Sequence, residues 1–200
     1  MSLFRKFFSS KSETNKEIKP EERSKYMPEV KLPIDERFTI NFKSNGGKFL
    51  YCDNIDEVFE NLDHIIVENE WQDKEFLVLD KNLKSKFKDS INTATSSMQA
   101  TVFFTTCENL IANDGSLLIS SNQIYEKKLP ELPSNFIVYA TTSQITENIG
   151  EGLRKIKSKN KQKIPTNITT IKHFKSNEEK DFLSYGSSSK NLYLLLLEDL

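Results

Sequence analysis

Apolar residues along this chain fall into alternating short runs and helical spacings. After Gly46 and Gly47, KFLYC at 48–52 is a short apolar run suited to a strand. Ile55, Val58, Phe59, Leu62, Ile65 and Ile66 then recur every three or four residues, which puts them on one face of a helix. FLVL at 76–79 reads as a buried strand, and Leu83 with Phe87 marks a second, short helix. TVFFTT at 101–106 and SLLIS at 116–120 are β-rich runs joined by a segment containing Asn113, Asp114 and Gly115. FIVYAT at 136–141 follows Pro130 and Pro133 and predicts another strand; Ile145, Ile149, Leu153 and Ile156 predict a helix running into RKIKSKNKQK. NITTI at 167–171 and LYLLLL at 192–197 close the pattern. This alternation predicts an α/β fold with a mostly parallel sheet flanked by helices. No internal repeat points to a solenoid.

The flanks change the picture at one end. Residues 9–36 are rich in Ser, Lys, Glu and Pro, with Pro20, Pro28 and Pro33 spaced through them. They predict an extended or flexible arm over residues 1–37 and one domain over 38–200. MSLFRKFFSSKS lacks the apolar core and cleavage site of a secretory signal, and LYLLLL is too short to span a bilayer. With 28 basic and 29 acidic residues the net charge is −1, so the chain as a whole has no field for nucleic acid or an anionic membrane. Cys52 and Cys107 lack C-x-x-C spacing and read as reduced core residues. The expectation is a soluble, cytoplasmic protein without an integral membrane segment.

From Thr101 to Asp199 the order of features resembles the LUD domain, the lactate utilization protein C type family. TVFFTTCE is similar to the family's strand ending in Thr with an acidic residue after it. LIANDGSLLIS resembles its I-A-E-T-G-T segment with the following apolar strand. LPELPSNFIVYAT resembles its L-S-L-L-P leader and H-I-V-V-V strand, and YGSSSKNLYLLLLED its polar loop and closing strand. The chain departs from the family where IPTNITTIKHF at 164–174 replaces G-P-S-R-T-A-D-I-E, and where Ser187, Ser188 and Ser189 replace H-G-P. The resemblance implies a fold like that of ribose-phosphate isomerase, glucosamine-phosphate deaminase and the CoA transferases. It also implies work alongside iron–sulfur proteins that oxidise lactate to pyruvate.

The candidate site residues divide between this resemblance and simple turn chemistry. Asn113, Asp114 and Gly115 are hairpin residues that accept or prefer positive φ. Aligned with the family, the same turn with the Ser116 hydroxyl offers backbone N–H donors to a small anionic ligand. Glu108, in C-E-N, faintly resembles the S-E-N-G of CoA transferases, whose glutamate is a nucleophile; as a strand-end carboxylate it needs no role. Tyr185, Gly186, Ser187, Ser188 and Ser189 form a hydroxyl-rich loop before the closing strand, and Thr166, Asn167, Thr169 and Thr170 stand at the altered family motif; ligand binding and plain connection are open for both. The six basic residues from Arg154 to Lys163 lack stacking aromatics and read as a solvated helix end, not a nucleic-acid interface. His64 and His173 have no partner at ligand spacing, and the two cysteines are too few for a cluster, so no metal and no iron–sulfur cluster is expected on this chain.

No P-loop, G-x-S-x-G elbow or H-E-x-x-H motif occurs. Without a complete catalytic constellation, the expectation is a non-redox accessory protein of lactate or organic-acid utilization with iron–sulfur partners. The alternatives are a transferase or isomerase acting on a phosphorylated or CoA-linked small molecule, and an interaction module without a working pocket.

Overall fold

Two helices open with the same phrase, Asn-Ile-x-Glu. In the computed structural model, which describes residues 32–174 and 190–199, Asn54 caps α2 (Ile55–Glu68) by accepting from the Glu57 N–H at 3.0 Å. The Glu57 carboxylate returns to the Asp53 N–H at 2.8 Å. Asn148 and Glu151 repeat the device at α5 (Ile149–Lys159), at 3.0 Å from the Glu151 N–H and 2.9 Å from the Glu147 N–H. Each device satisfies N–H groups that a helix start leaves unpaired. α3 (Lys81–Lys86) is capped by Asp80, and α4 (Ser121–Ile124) by Ser120 with Gln123 closing a capping box.

Among the described residues the main sheet has six strands in the order β1-β10-β7-β4-β2-β3, all parallel. They are β1 (Lys48–Cys52), β2 (Glu75–Leu77), β3 (Asn92–Thr93), β4 (Val102–Thr106), β7 (Asn135–Thr141) and β10 (Asn191–Leu197). Alternation along the strands splits the core in two. Phe104, Ile137, Tyr193 and Leu195 face α2 and α3, whereas Phe103, Phe136, Val138 and Leu194 face α1 (Ile34–Ser44) and a second sheet. A buried phenylalanine of this kind contributes about 1.5–3 kcal/mol.

The second sheet is small and mixed, in the order β8-β5-β6-β9. β5 (Asn109–Ile111) and β6 (Ser116–Ile119) form an antiparallel hairpin, β8 (Ile145–Thr146) adds parallel to β5, and β9 (Thr169–Ile171) adds antiparallel to β6. α5 covers its outer face through Ile156 against Ile111 and Leu118. Buried Gly152 allows that approach: a Cβ there would lie 3.2 Å from Leu118.

The α/β class and the parallel main sheet stand as read from the sequence; several local readings change. The helix α1 starts at Ile34, inside the segment assigned to the arm, because Phe38 and Phe42 are fully buried against the core. Ile145 belongs to a strand, since Asn148 sets the start of α5 three residues later. The second sheet is an addition: NLI at 109–111 is too short to show a period, and β8 has only two residues.

Candidate functional site

The β5–β6 hairpin carries both sequence-predicted clusters, but at opposite ends. Asn113, Asp114 and Gly115 form its turn, and Glu108 sits at its open end, where the Glu108 N–H donates to the Leu118 carbonyl at 2.8 Å. Four residues of strand rise, about 14 Å, separate Glu108 from Ala112.

At the turn most polar groups bond within the chain. The Asn113 N–H donates to the Glu147 carbonyl at 3.1 Å, and the Gly115 N–H to the Ile111 carbonyl at 2.9 Å. The Ser116 N–H and hydroxyl both donate to Asp114 Oδ1, at 3.1 and 2.7 Å. Asn41 donates to the Ala112 carbonyl at 2.8 Å and Asn45 to the Asp114 carbonyl at 2.6 Å, which fastens the turn to α1. Gly115, at φ +67°, touches that helix so closely that a Cβ would lie 2.3 Å from the Phe42 nitrogen. Arg37 grips Glu147 with two hydrogen bonds, of 2.9 and 2.6 Å, and reaches Asn113 at 3.3 Å. The N–H groups of Asn113, Gly115 and Ser116, expected as donors to an anion, are therefore aimed at carbonyls and at Asp114 itself.

At the open end, Glu108 is positioned with capacity left. Ser120 Oγ donates to Glu108 Oε1 at 2.6 Å and Asn122 Nδ2 donates to the same oxygen at 2.8 Å. Oε2 accepts no hydrogen bond among the described residues. Gln144, just past β7, donates to the Cys107 carbonyl at 2.6 Å and steadies the chain beside it. Such a carboxylate, one oxygen anchored and one open, can accept a proton or a ligand hydrogen bond. It stands where β4 ends, at the carboxyl edge that collects ligands in open α/β sheets. Cys107 next to it is no nucleophile: burial, then the Glu108 charge, push its thiol far above the ordinary range.

Thr166 and Asn167 come to this end too, although as latches. The Thr166 N–H donates to Ser121 Oγ at 3.0 Å, and Asn167, at φ 52°, donates from Nδ2 to the Tyr125 and Lys127 carbonyls at 3.3 and 3.0 Å. Between this loop and α4 lies a cleft of about 340 Å³ lined by residues that include Asn122, Tyr125, Lys163 and Thr166. Tyr125, which lines it, has a strained conformation, φ 52° and ψ −129°, which costs of order 1–3 kcal/mol in a non-glycine residue. Its hydroxyl donates to the Leu79 carbonyl past the end of β2 at 3.2 Å.

Sequence reasoning missed Ser120, Asn122, Tyr125, Gln144 and Asp199. Asp199 follows β10, where its carboxylate accepts from Thr142 Oγ1 at 2.8 Å and from the Ser143 N–H and hydroxyl at 2.8 and 2.6 Å. Desolvation pushes its carboxyl up, but the Ser143, Thr141 and Thr142 hydrogen bonds outweigh it and hold the group below the usual range. The S-S-N-Q phrase of Ser120–Gln123 was a readable capping signal; nothing local marks Tyr125. Gly186, Ser187 and Ser188 lie outside the described residues.

With this geometry in place, the comparisons decide the family: a model of the LUD domain matches residues 36–197. The chain belongs to the LUD domain family. Among solved structures it resembles a DUF162 family protein from Deinococcus radiodurans, with TM-score 0.50 and 11% identity over 83% of this chain and 96% of that one. At that identity the likeness supports the LUD fold alone. A comparison with curated proteins gives no match. Among the described residues of this LUD domain no helix is long and apolar enough to cross a membrane.

Proposed function

We propose that this LUD domain is a non-redox accessory component of lactate or related organic-acid utilization, working with iron–sulfur partner proteins. The observation that supports it is the family match over residues 36–197. The chain has two cysteines, both buried, and a cluster takes a larger set of thiolates, so the electron-transfer step falls to the partner. In this reading the carboxyl edge around Glu108 engages the organic acid or the partner. Deleting the gene and measuring growth on L-lactate tests the pathway: the reading expects impaired growth, and growth equal to the parent overturns it.

A second reading is favoured by the anchored-and-open carboxylate of Glu108. It is a transferase or isomerase acting on a phosphorylated or CoA-linked small molecule, with Glu108 as the proton acceptor. Ligand binding moves, in this reading, from the Asn113–Ser116 turn to the open end of the hairpin. A thermal-shift screen with lactate, sugar phosphates and acyl-CoA separates the two, because a ligand at 100 times its dissociation constant adds about 2.7 kcal/mol. A shift with lactate alone favours the accessory reading; a shift with a phosphorylated compound favours the enzyme.

A further inference from the structure

A second cleft, of about 460 Å³, adjoins the one over Tyr125 and shares Lys163 with it. It is lined by the end of α5 and the turn after it, including Lys159, Lys161 and Lys163. Joined through Lys163, the two have the size of an ordinary small-molecule site. Their characters differ: one is basic, the other offers the Tyr125 ring, the Asn122 amide, the Ser121 and Thr166 hydroxyls and the Glu126 carboxylate, so an anion is favoured at the basic end.

Three features set this groove apart from an ordinary solvated face. Lys159, Lys161 and Lys163 have no ion-pair or hydrogen-bond partner among the described residues, whereas Lys172 faces Asp114, Lys86 reaches Tyr139 and Lys48 reaches Tyr193. Three ammonium charges outweigh the roughly half negative charge at the α5 C-terminus, where Asn160 Nδ2 also covers the Ile156 carbonyl at 2.9 Å. Asn122 and Lys163 line the same cleft, and Asn122 Nδ2 donates to Glu108 Oε1 at 2.8 Å, so the basic turn and the Glu108 end share one region. Tyr125 is held in its strained conformation, half-exposed, by bonds at its hydroxyl and at its carbonyl. Strain kept by surrounding contacts gathers at ligand sites.

We propose that this groove binds a phosphorylated small molecule, its phosphate on Lys159, Lys161 and Lys163 and its body along Tyr125 toward Asn122 and Glu108. The phosphate oxygens accept charge-assisted hydrogen bonds from the ammonium groups. The body stacks on the Tyr125 ring, and Asn122, which already holds Glu108, ties ligand position to that carboxylate. The assignment rests on the second reading's ligand class and adds the place, which the Asn113–Ser116 turn had been expected to supply.

The test is isothermal titration of the full chain with CoA and with glucose 6-phosphate, comparing wild type, the K161Q/K163Q double variant, Y125G and a K88Q control. The expected result is binding of at least one probe, weakened about tenfold or more in K161Q/K163Q and unchanged in K88Q. Y125G is expected to raise the melting temperature, because glycine relieves the positive φ, while weakening the same probe. Binding that persists unchanged in K161Q/K163Q overturns the location and leaves the phosphorylated-ligand reading standing. No binding of either probe by folded wild type overturns both.

Discussion

The two ends of the β5–β6 hairpin use similar residues for opposite purposes. At the turn, Asn113, Asp114 and Ser116 are as polar as any binding loop, yet the N–H groups of Asn113, Gly115 and Ser116 and the Ser116 hydroxyl meet the chain's own carbonyls and the Asp114 carboxylate. At the open end, Ser120 and Asn122 converge on one oxygen of Glu108 and leave the other available. Composition alone does not distinguish them. The difference lies in where the hydrogen bonds go: a satisfied polar cluster fixes the fold, and a partly satisfied one beside a cleft can take a ligand.

This contrast is open to breaking, beginning at the turn. Gly115→Ala is expected to cost about 3 kcal/mol or more, since neither the positive φ nor the contact with the α1 backbone can relax; urea unfolding measures it. Arg37→Ala removes a bidentate bridge from Glu147, whose side chain is 37% exposed, so a smaller loss of about 1 kcal/mol is expected in the same assay. At the other end, Glu108→Gln keeps an acceptor for Ser120 and Asn122. Its stability is expected to stay within about 1 kcal/mol of wild type while any ligand-induced thermal shift or turnover falls. Equal stability losses at Gly115 and Glu108 would erase the distinction between the ends.

The smallest expected effect is at Asp199. Because its carboxyl titrates lower when folded than when unfolded, it stabilises above the ordinary carboxylate pKa of about 3.9. That contribution is lost as pH falls through its lower folded value. Asp199→Asn should therefore differ from wild type at neutral pH and converge with it in acid, by a modest amount because the side chain is exposed. Denaturant midpoints at pH 7 and pH 2.5 measure this, and a difference that grows in acid would reverse the sign.

The main sheet was legible except for β3, the polar pair Asn92–Thr93, because its other strands are apolar runs bounded by punctuation, and α2 because Val58, Leu62, Ile65 and Ile66 keep one face. α1 was not, because Pro33 and the polar residues before it blur a helix whose anchoring residues are Phe38 and Phe42. The second sheet escaped notice because two- and three-residue strands owe their form to pairing across the fold rather than to local pattern. Glu108 was visible as a strand-end carboxylate. Its meaning was not, because that depends on Ser120 and Asn122 folding back onto it from across the hairpin. The turn was visible as well, but Asn41 and Asn45, which donate to its carbonyls from α1, and the Glu147 carbonyl, which accepts from the Asn113 N–H, lie far away in sequence.

The most direct test is to ask which end of the hairpin a ligand touches. A titration of isotope-labelled full chain with CoA, followed by amide chemical shifts in two-dimensional NMR, reads both ends in one experiment. The account predicts shifts concentrated at Glu108, Asn122, Tyr125, Lys161 and Lys163, with Asn113 through Ser116 unmoved. Shifts centred on Asn113, Asp114, Gly115 and Ser116, with the Glu108 end silent, would contradict it.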